Sequence, residues 1–190
     1  MKIFFVTTNK HKFQEVQDIL KDYPIQLEQL DREYEENHDE EMEVIARDAA
    51  RKLARELGQP VVLEDTGLFF KAYNGFPGAL PKFVFNTLGY KGIFKLLEGE
   101  TRQAYFKTVA AFCRPGEEPV LFEGVMEGEI TDKVYNPDKD VMPYDRIFIP
   151  EGRTKTISEM TLAEKNSFSQ RAKAFRKFGE YIVGLLSGDK

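Results

Sequence analysis

The sequence has no tryptophan, a single cysteine and only two histidines among its 190 residues. One thiol, Cys113, rules out an internal disulfide and is too few for a cysteine-based zinc site, and His11 and His38 are not spaced as metal ligands. A reducing, cytoplasmic setting is therefore the expectation. Long apolar runs are missing as well. The opening segment Ile3-Phe4-Phe5-Val6 meets polar residues at once and is far too short for a signal or membrane-spanning stretch, so neither export nor membrane anchoring is expected. Positive charge is not in excess: Lys plus Arg number 27 against 32 Asp plus Glu, a formal charge of -5, which argues against nucleic acid as a partner. Repeats, low-complexity tracts and flexible linkers are absent too, so one large domain or two continuous lobes are expected over 1–190.

What the chain does have is the makings of a packed core. Hydrophobic residues make up 42%, with 16 Phe and 8 Tyr, a composition wrong for a disordered protein. Ile3 to Val6 reads as a buried strand, Thr7-Thr8-Asn9 as a cap, and Phe13, Val16, Ile19 and Leu20 as one face of a helix ended before Pro24. A second strand is expected from Ile25 to Leu30, then an acidic stretch from Glu28 to Glu43 that leads into a helix through Met42, Ile45, Ala49 and Leu53, closed by Gly58. Val61-Val62-Leu63 reads as a short strand ending in Glu64-Asp65-Thr66-Gly67, and Gly75 to Gly78 as a loop. Residues 82–97 look helical with a break at Gly89, and 103–113 and 120–130 look like paired antiparallel strands. A strand fragment at Ile147–Ile149, stopped by Pro150, precedes a capping box at Thr161 and Glu164 that opens one long helix to the C-terminus. The sum is a mixed α/β protein with a cleft.

Three constellations could carry chemistry. The strand-to-helix turn Thr7-Thr8-Asn9 with Lys12 one turn in offers unpaired N–H donors, a positive dipole end and a full charge to a phosphate chain, without the glycines of a P-loop. Glu64-Asp65, with Glu40 upstream, supplies hard oxygen ligands suited to Mg²⁺. Adjacent strand residues point to opposite faces, so Glu64 and Asp65 cannot share a cleft unless the chain bends there, and Asp65 is the favoured partner of the cleft. The third is the amide- and cation-rich stretch from Lys155 to Arg171, with Tyr144-Asp145 before it, able to meet phosphate, ribose or a base.

In this order these segments resemble the inosine/xanthosine triphosphate pyrophosphatase family. Thr7-x-Asn9-x-x-Lys12 is similar to its phosphate-binding opening, Glu40 and Lys52 to its acidic helix start and following lysine, and Glu64-Asp65-Thr66-Gly67-Leu68 to its acidic motif. Phe76-Pro77-Gly78, Tyr144-Asp145-x-Ile147-Phe148-Ile149-Pro150, Lys155-Thr156-x-x-Glu159-Met160 and Glu164-Lys165-Asn166-x-x-Ser169-x-Arg171 are similar to the remaining segments. The resemblance implies an elongated, two-lobed α/β fold around a curved mixed β-sheet with flanking helices and a cleft between the lobes, in a homodimer. It implies Mg²⁺-dependent cleavage of the α–β bond of ITP, dITP or XTP, giving monophosphate and pyrophosphate. By the same resemblance Glu40 and Asp65 would hold metal or activate water, with Asp65 catalytic. Thr7, Thr8, Asn9, Lys12, Lys52 and Thr66 would bind the triphosphate end, and Tyr144, Asp145, Lys165, Ser169, Gln170 and Arg171 the base and sugar.

The chemistry suits those residue types. Polyphosphate hydrolysis needs charge clamping by a metal and lysines and a carboxylate to orient water. Rejecting adenine needs a donor, such as Arg171, at the 6-oxo position. Departures from the family pattern cluster at the base end: Met142-Pro143 stands where Phe-Gly is usual, Arg146 where proline is usual, and Gln170 where histidine is usual. They leave open an alternative, a nucleotide-binding sensor or scaffold with little turnover.

Overall fold

The structure, a computed structural model, describes residues 1–34 and 41–188. The apolar opening run becomes β1 (Lys2–Val6), with Ile3 and Phe5 fully buried. It leads through α1 (Lys10–Leu20) to β2 (Gln26–Leu30), and α2 (Met42–Leu57) precedes β3 (Val61–Phe70). β1 pairs in parallel with both β2 and β3, and parallel neighbours need crossover connections, which α1 and α2 supply. Then come β4 (Pro77–Gly78), α3 (Pro81–Leu96) and the long antiparallel pair β5 (Gln103–Cys113) and β6 (Val120–Ile130). The short β7 (Phe148–Pro150), α4 (Leu162–Phe168) and α5 (Gln170–Ser187) complete the chain. The strands form one mixed seven-stranded sheet in the order β2-β1-β3-β5-β6-β7, with β4 on the side of β3. The fold is mixed α/β, as the pattern of elements predicts.

β3 differs most from the sequence expectation. Asp65-Thr66-Gly67 reads locally as a turn at a strand end, yet the strand runs ten residues without a stop, and β5 pairs with it from Val61↔Cys113 to Phe70↔Ala104. Two apolar clusters extend it. On one face Val62 packs with Val16, Ile19, Phe175 and Phe178 of α1 and α5, while Leu68 and Phe70, on the same face, pack with Val84, Ile93 and Phe148. The opposite face carries Val61 and Leu63 against Ala46, Ala50 and Leu53 of α2. Between Val62 and Leu68 the first face presents Glu64 and Thr66, a polar gap between two cores, and there the cleft opens.

The C-terminal helix also differs. The Thr161–Glu164 capping box forms as expected, Glu164 N–H donating to Thr161 Oγ1 at 3.1 Å and Thr161 N–H to Glu164 Oε2 at 2.7 Å. The helix it opens stops at Ser169, whose extended backbone (φ -62, ψ 158) ends α4 and whose hydroxyl caps α5. Pro150 lies inside β7 rather than after it, tolerated because β7 is an edge strand. The break expected at Gly89 is present, with φ 59 and ψ -176 inside α3. Gly124 in β6 is required by close approach: a Cβ there would lie 2.0 Å from the carbonyl oxygen of Gln170.

Candidate active site

A cleft of about 640 Å³ opens over the middle of β3, a size suited to a small-molecule ligand. Its walls come from the β1–α1 turn, the segment after β2, the start of α3, the 3-10 turn Pro143–Arg146, and the facing ends of α4 and α5.

At one end Thr7, Thr8, Asn9 and Lys12 line the wall together. The turn is held from outside, Thr7 N–H donating to Leu30 O and Gln29 Nε2 to Thr7 O at 3.0 Å. Asn9 is the N-cap of α1, its Oδ1 accepting from the N–H groups of His11 (2.9 Å) and Lys12 (3.2 Å), and Thr7 Oγ1 accepts from Asn9 N–H. The Asn9 side chain thus builds the turn, while Thr8 is exposed.

Glu64 sits on the cleft floor with its side chain fully buried. Lys12 Nζ reaches Glu64 Oε1 at 2.7 Å, and Arg171 donates through Nε to Oε2 (3.1 Å) and through Nη2 to Oε1 (3.2 Å). Thr66 donates to Glu64 Oε2 at 3.1 Å and lies 2.7 Å from the Thr108 hydroxyl. Burial pushes the Glu64 carboxyl up, but the charges of Arg171 and Lys12 and the hydrogen bonds they donate outweigh it and hold it at about 2. Glu15 of α1 extends the network, accepting from Arg171 Nη1 and, at 2.6 Å, from Lys165 Nζ, which also donates to Asp145 Oδ2 at 2.7 Å. Three carboxylates thus face three cations, with no net charge. Asp145, which shares Lys165 with Glu15, is raised by burial and by the Glu15 charge against the pull of Lys165 and Arg171.

Asp65 lines the same cleft as Glu64 although the two point to opposite faces. A bend is not needed. β1 pairs with β3 only as far as Phe5↔Val62, and β4 begins its pairing at Leu68, so no described strand covers that edge of β3 between them. Tyr34 reaches this edge and donates its hydroxyl to Glu64 O at 3.1 Å. Both faces of β3 meet the cleft around the uncovered edge.

The other end is mainly apolar, with Phe85, Phe106, Met126, Met142 and Ile157 on the wall beside Tyr144 and Gln170. Tyr144 is buried, donates to Pro81 O at 3.0 Å and packs edge-on against Phe85 and Phe106. Burial raises its phenol above the usual range.

Thr7, Thr8, Asn9, Lys12, Asp65, Thr66, Tyr144, Asp145, Lys165, Gln170 and Arg171, all proposed from sequence, therefore line one cleft. Lys52 and Ser169 do not: Lys52 is exposed on α2, and Ser169 is fully buried as the link between two helices. Glu40 lies outside the described residues. The sequence reading missed the structural weight of Glu64 and the presence of Glu15, Lys82 and Asn86. Glu15 has the one available signal, an acidic residue at the position before Val16 on the apolar face of α1, where it is buried.

Among the described residues no group of three or more His, Cys, Asp or Glu is disposed to hold a metal ion. A metal such as Zn²⁺, which takes most of its ligands from protein, is poorly served by this wall. Mg²⁺ needs only one or two carboxylates, with water and phosphate oxygens completing its shell, and Asp65 on the cleft wall fits that demand.

Similarity to known proteins agrees with this architecture. The family model described as Ham1 family matches residues 3–181. The chain belongs to the Ham1 family. A dITP/XTP pyrophosphatase of Methanopyrus kandleri is 43% identical over 189 residues, spanning 99% of this chain and 100% of its own length. A dITP/XTP pyrophosphatase of Pyrococcus horikoshii is 41% identical, over 96% of this chain and 97% of its own. Among solved structures, a HAM1 protein from Coxiella burnetii superposes with a TM-score of 0.80 at 26% identity, covering 96% of this chain and 98% of that one.

Proposed function

We propose that this Ham1-family chain hydrolyses the α–β bond of non-standard purine nucleoside triphosphates, ITP, dITP and XTP, to the monophosphate and pyrophosphate, clearing them from the nucleotide pool. The observation that carries this reading is the make-up of the cleft over β3. A hydroxyl- and lysine-lined turn at one end is joined to an apolar slot with a carboxamide at the other, in a chain more than 40% identical over nearly its full length to proteins named dITP/XTP pyrophosphatases.

In this reading the triphosphate lies along the Thr7–Asn9 turn, where hydroxyls, backbone donors and the start of α1 meet negative charge. Lys12 shares the charge while remaining tied to Glu64. Asp65, at the uncovered edge of β3, orients the attacking water and accepts its proton. Mg²⁺, held by Asp65 and by Glu40 as the resemblance implies, supplies neutralisation of charge on the phosphate oxygens when bound. Lys52 is assigned to the same end on resemblance, from its place on α2. The base enters the apolar slot beside Tyr144, with Asp145, Lys165 and Gln170 around it. Arg171 stands behind them and Ser169 sets the α4–α5 junction that aims them. Arg171 already donates to Glu64, Glu15 and Thr66, so a base contact from it would add to or replace those bonds.

We further place the protein in the cytoplasm as a single domain of two continuous lobes and as a homodimer. The buried lone thiol of Cys113 suits a reducing setting. Phe76, Phe83 and Leu88, exposed at 42%, 63% and 41% around the start of α3, supply an apolar face for a second copy.

The test is a panel of inosine, xanthosine, guanosine, adenosine and pyrimidine triphosphates with Mg²⁺, pyrophosphate being measured separately from orthophosphate. Pyrophosphate mainly from the inosine and xanthosine compounds is expected. Binding without pyrophosphate release from any of them would overturn the reading in favour of a nucleotide sensor.

A further inference from the structure

The apolar end of the cleft is built from two elements that are tied to each other by side chains. α3 is lightly anchored: of its sixteen residues only Val84 and Ile93 are buried, and Gly89 breaks it in the middle. Its first half nevertheless supplies Pro81 and Phe85 to the cleft wall, and the 3-10 turn Pro143–Arg146 supplies Pro143 and Tyr144, with Met142 just before it. Two tyrosines join these elements in opposite directions. Tyr144 donates its hydroxyl to Pro81 O at 3.0 Å, at the start of α3, and Tyr90, just past the Gly89 break, donates to Pro143 O at 2.8 Å, at the start of the turn. Phe85 meets both rings edge-on, with centroids 4.9 Å from Tyr90 and 5.9 Å from Tyr144.

Tyr90 and Arg146 do not themselves line the cleft. The Tyr90 hydroxyl is used twice, because Arg146 Nη1 donates to it at 3.1 Å while it donates to Pro143 O. A hydroxyl gives one proton and can accept others, and a cationic donor on its oxygen both directs that proton and strengthens the bond it makes. Arg146 is held in turn, its Nη2 donating to Lys139 O at 2.7 Å. The pair therefore fastens Pro143, and Met142 beside it, to α3 from behind the wall.

We propose that Tyr90 and Arg146 are positioning residues for the apolar end of the cleft, their shared hydroxyl fixing the Met142–Tyr144 wall against α3 and with it the width of a slot for a flat heteroaromatic base. The inference rests on the function proposed above and adds residues that touch no substrate. Their effect reaches a ligand only through the wall they hold. A slot already set to width binds without having to be ordered, whereas a loosened one places that ordering on the ligand and weakens binding. The phosphate end, built on the β1–α1 turn, has no part in this brace.

Tyr90→Phe removes the hydroxyl alone and keeps the ring that packs on Phe85 and Phe94. The experiment measures kcat and KM for ITP with Mg²⁺, and the inhibition constants of inosine monophosphate and of pyrophosphate. The net worth of one hydrogen bond sets the expected size: KM for ITP and the constant for inosine monophosphate rise about three- to tenfold, while kcat and the constant for pyrophosphate stay within about twofold. Arg146→Met is expected to give the same split, and to add less in the Tyr90→Phe background than alone, since both act on one hydroxyl. A KM that rises by less than about threefold, a kcat that falls with it, or a pyrophosphate constant that rises in step overturns the proposal, the last being the mark of a general loosening of the fold. Arg146→Met carries the same test if Tyr90→Phe does not fold. If the wild type releases no pyrophosphate, the pyrophosphatase reading fails on its own. Equilibrium binding then decides on the brace: weaker binding of ITP with unchanged binding of pyrophosphate upholds it, and equal weakening of both, or none, refutes it.

Discussion

Arg171→Met removes the guanidinium from the centre of the buried network while keeping most of its volume. Arg171 is 1% exposed and bonded to Glu64 and Glu15, both buried. Taking one partner from a buried ion pair costs about 3–5 kcal/mol, because the remaining charge is left in a poor solvent. Here each carboxylate keeps one cation, Glu64 its Lys12 at 2.7 Å and Glu15 its Lys165 at 2.6 Å, so the lower end, about 3 kcal/mol, is expected. The sign with pH follows from Glu64. Its folded carboxyl titrates at about 2 against a reference of 4.5, so its contribution is fully present above 4.5 and lost as pH falls toward 2. Without Arg171 the folded value rises and less remains to be lost in acid, so the deficit should be largest near neutrality and narrow below 4.5. Urea unfolding of both proteins near neutrality and at about pH 3 reads this directly, as a midpoint shift at constant slope. A cost under about 1 kcal/mol near neutrality, or a deficit unchanged in acid, would refute the network as described.

Asp65→Asn should lower turnover by about a hundredfold or more while leaving the far-ultraviolet circular dichroism of the wild type, and wild-type-like activity would remove Asp65 from the chemistry. Gly124→Ala places a methyl 2.0 Å from a backbone oxygen that cannot step aside, so the melting temperature should fall, by about 3 °C or more, and an unchanged melting temperature would deny the close packing of β6 on α5. The wild type should lose about 3 kcal/mol of stability through Glu64 alone between pH 4.5 and about 2, and acid titration of Glu64→Gln should lack that component.

Much of the fold is legible in the sequence because its signals are local. The Thr161–Glu164 box, the Gly89 break and the two eleven-residue strands β5 and β6 each rest on residues a few positions apart. What escapes is set by distant partners. Asp65-Thr66-Gly67 looks like a turn until Leu68 and Phe70 are known to meet a second core, and Glu15 looks like a solvated helix residue because its cations lie 150 and 156 residues away in the chain. Ser169 reads as a site residue by motif, and its place between two helices is visible only in three dimensions. Glu64 and Asp65 share a cleft despite strand alternation because the pairing of β1 with β3 ends at Phe5↔Val62, a fact of sheet pairing that neither residue announces.

The central claim, α–β hydrolysis in this cleft, is tested most directly by following ITP and Mg²⁺ with the purified protein by phosphorus NMR. One inosine monophosphate for each pyrophosphate, with no orthophosphate or inosine diphosphate, is the predicted result. Inosine diphosphate with orthophosphate, or an unchanged spectrum, would contradict it.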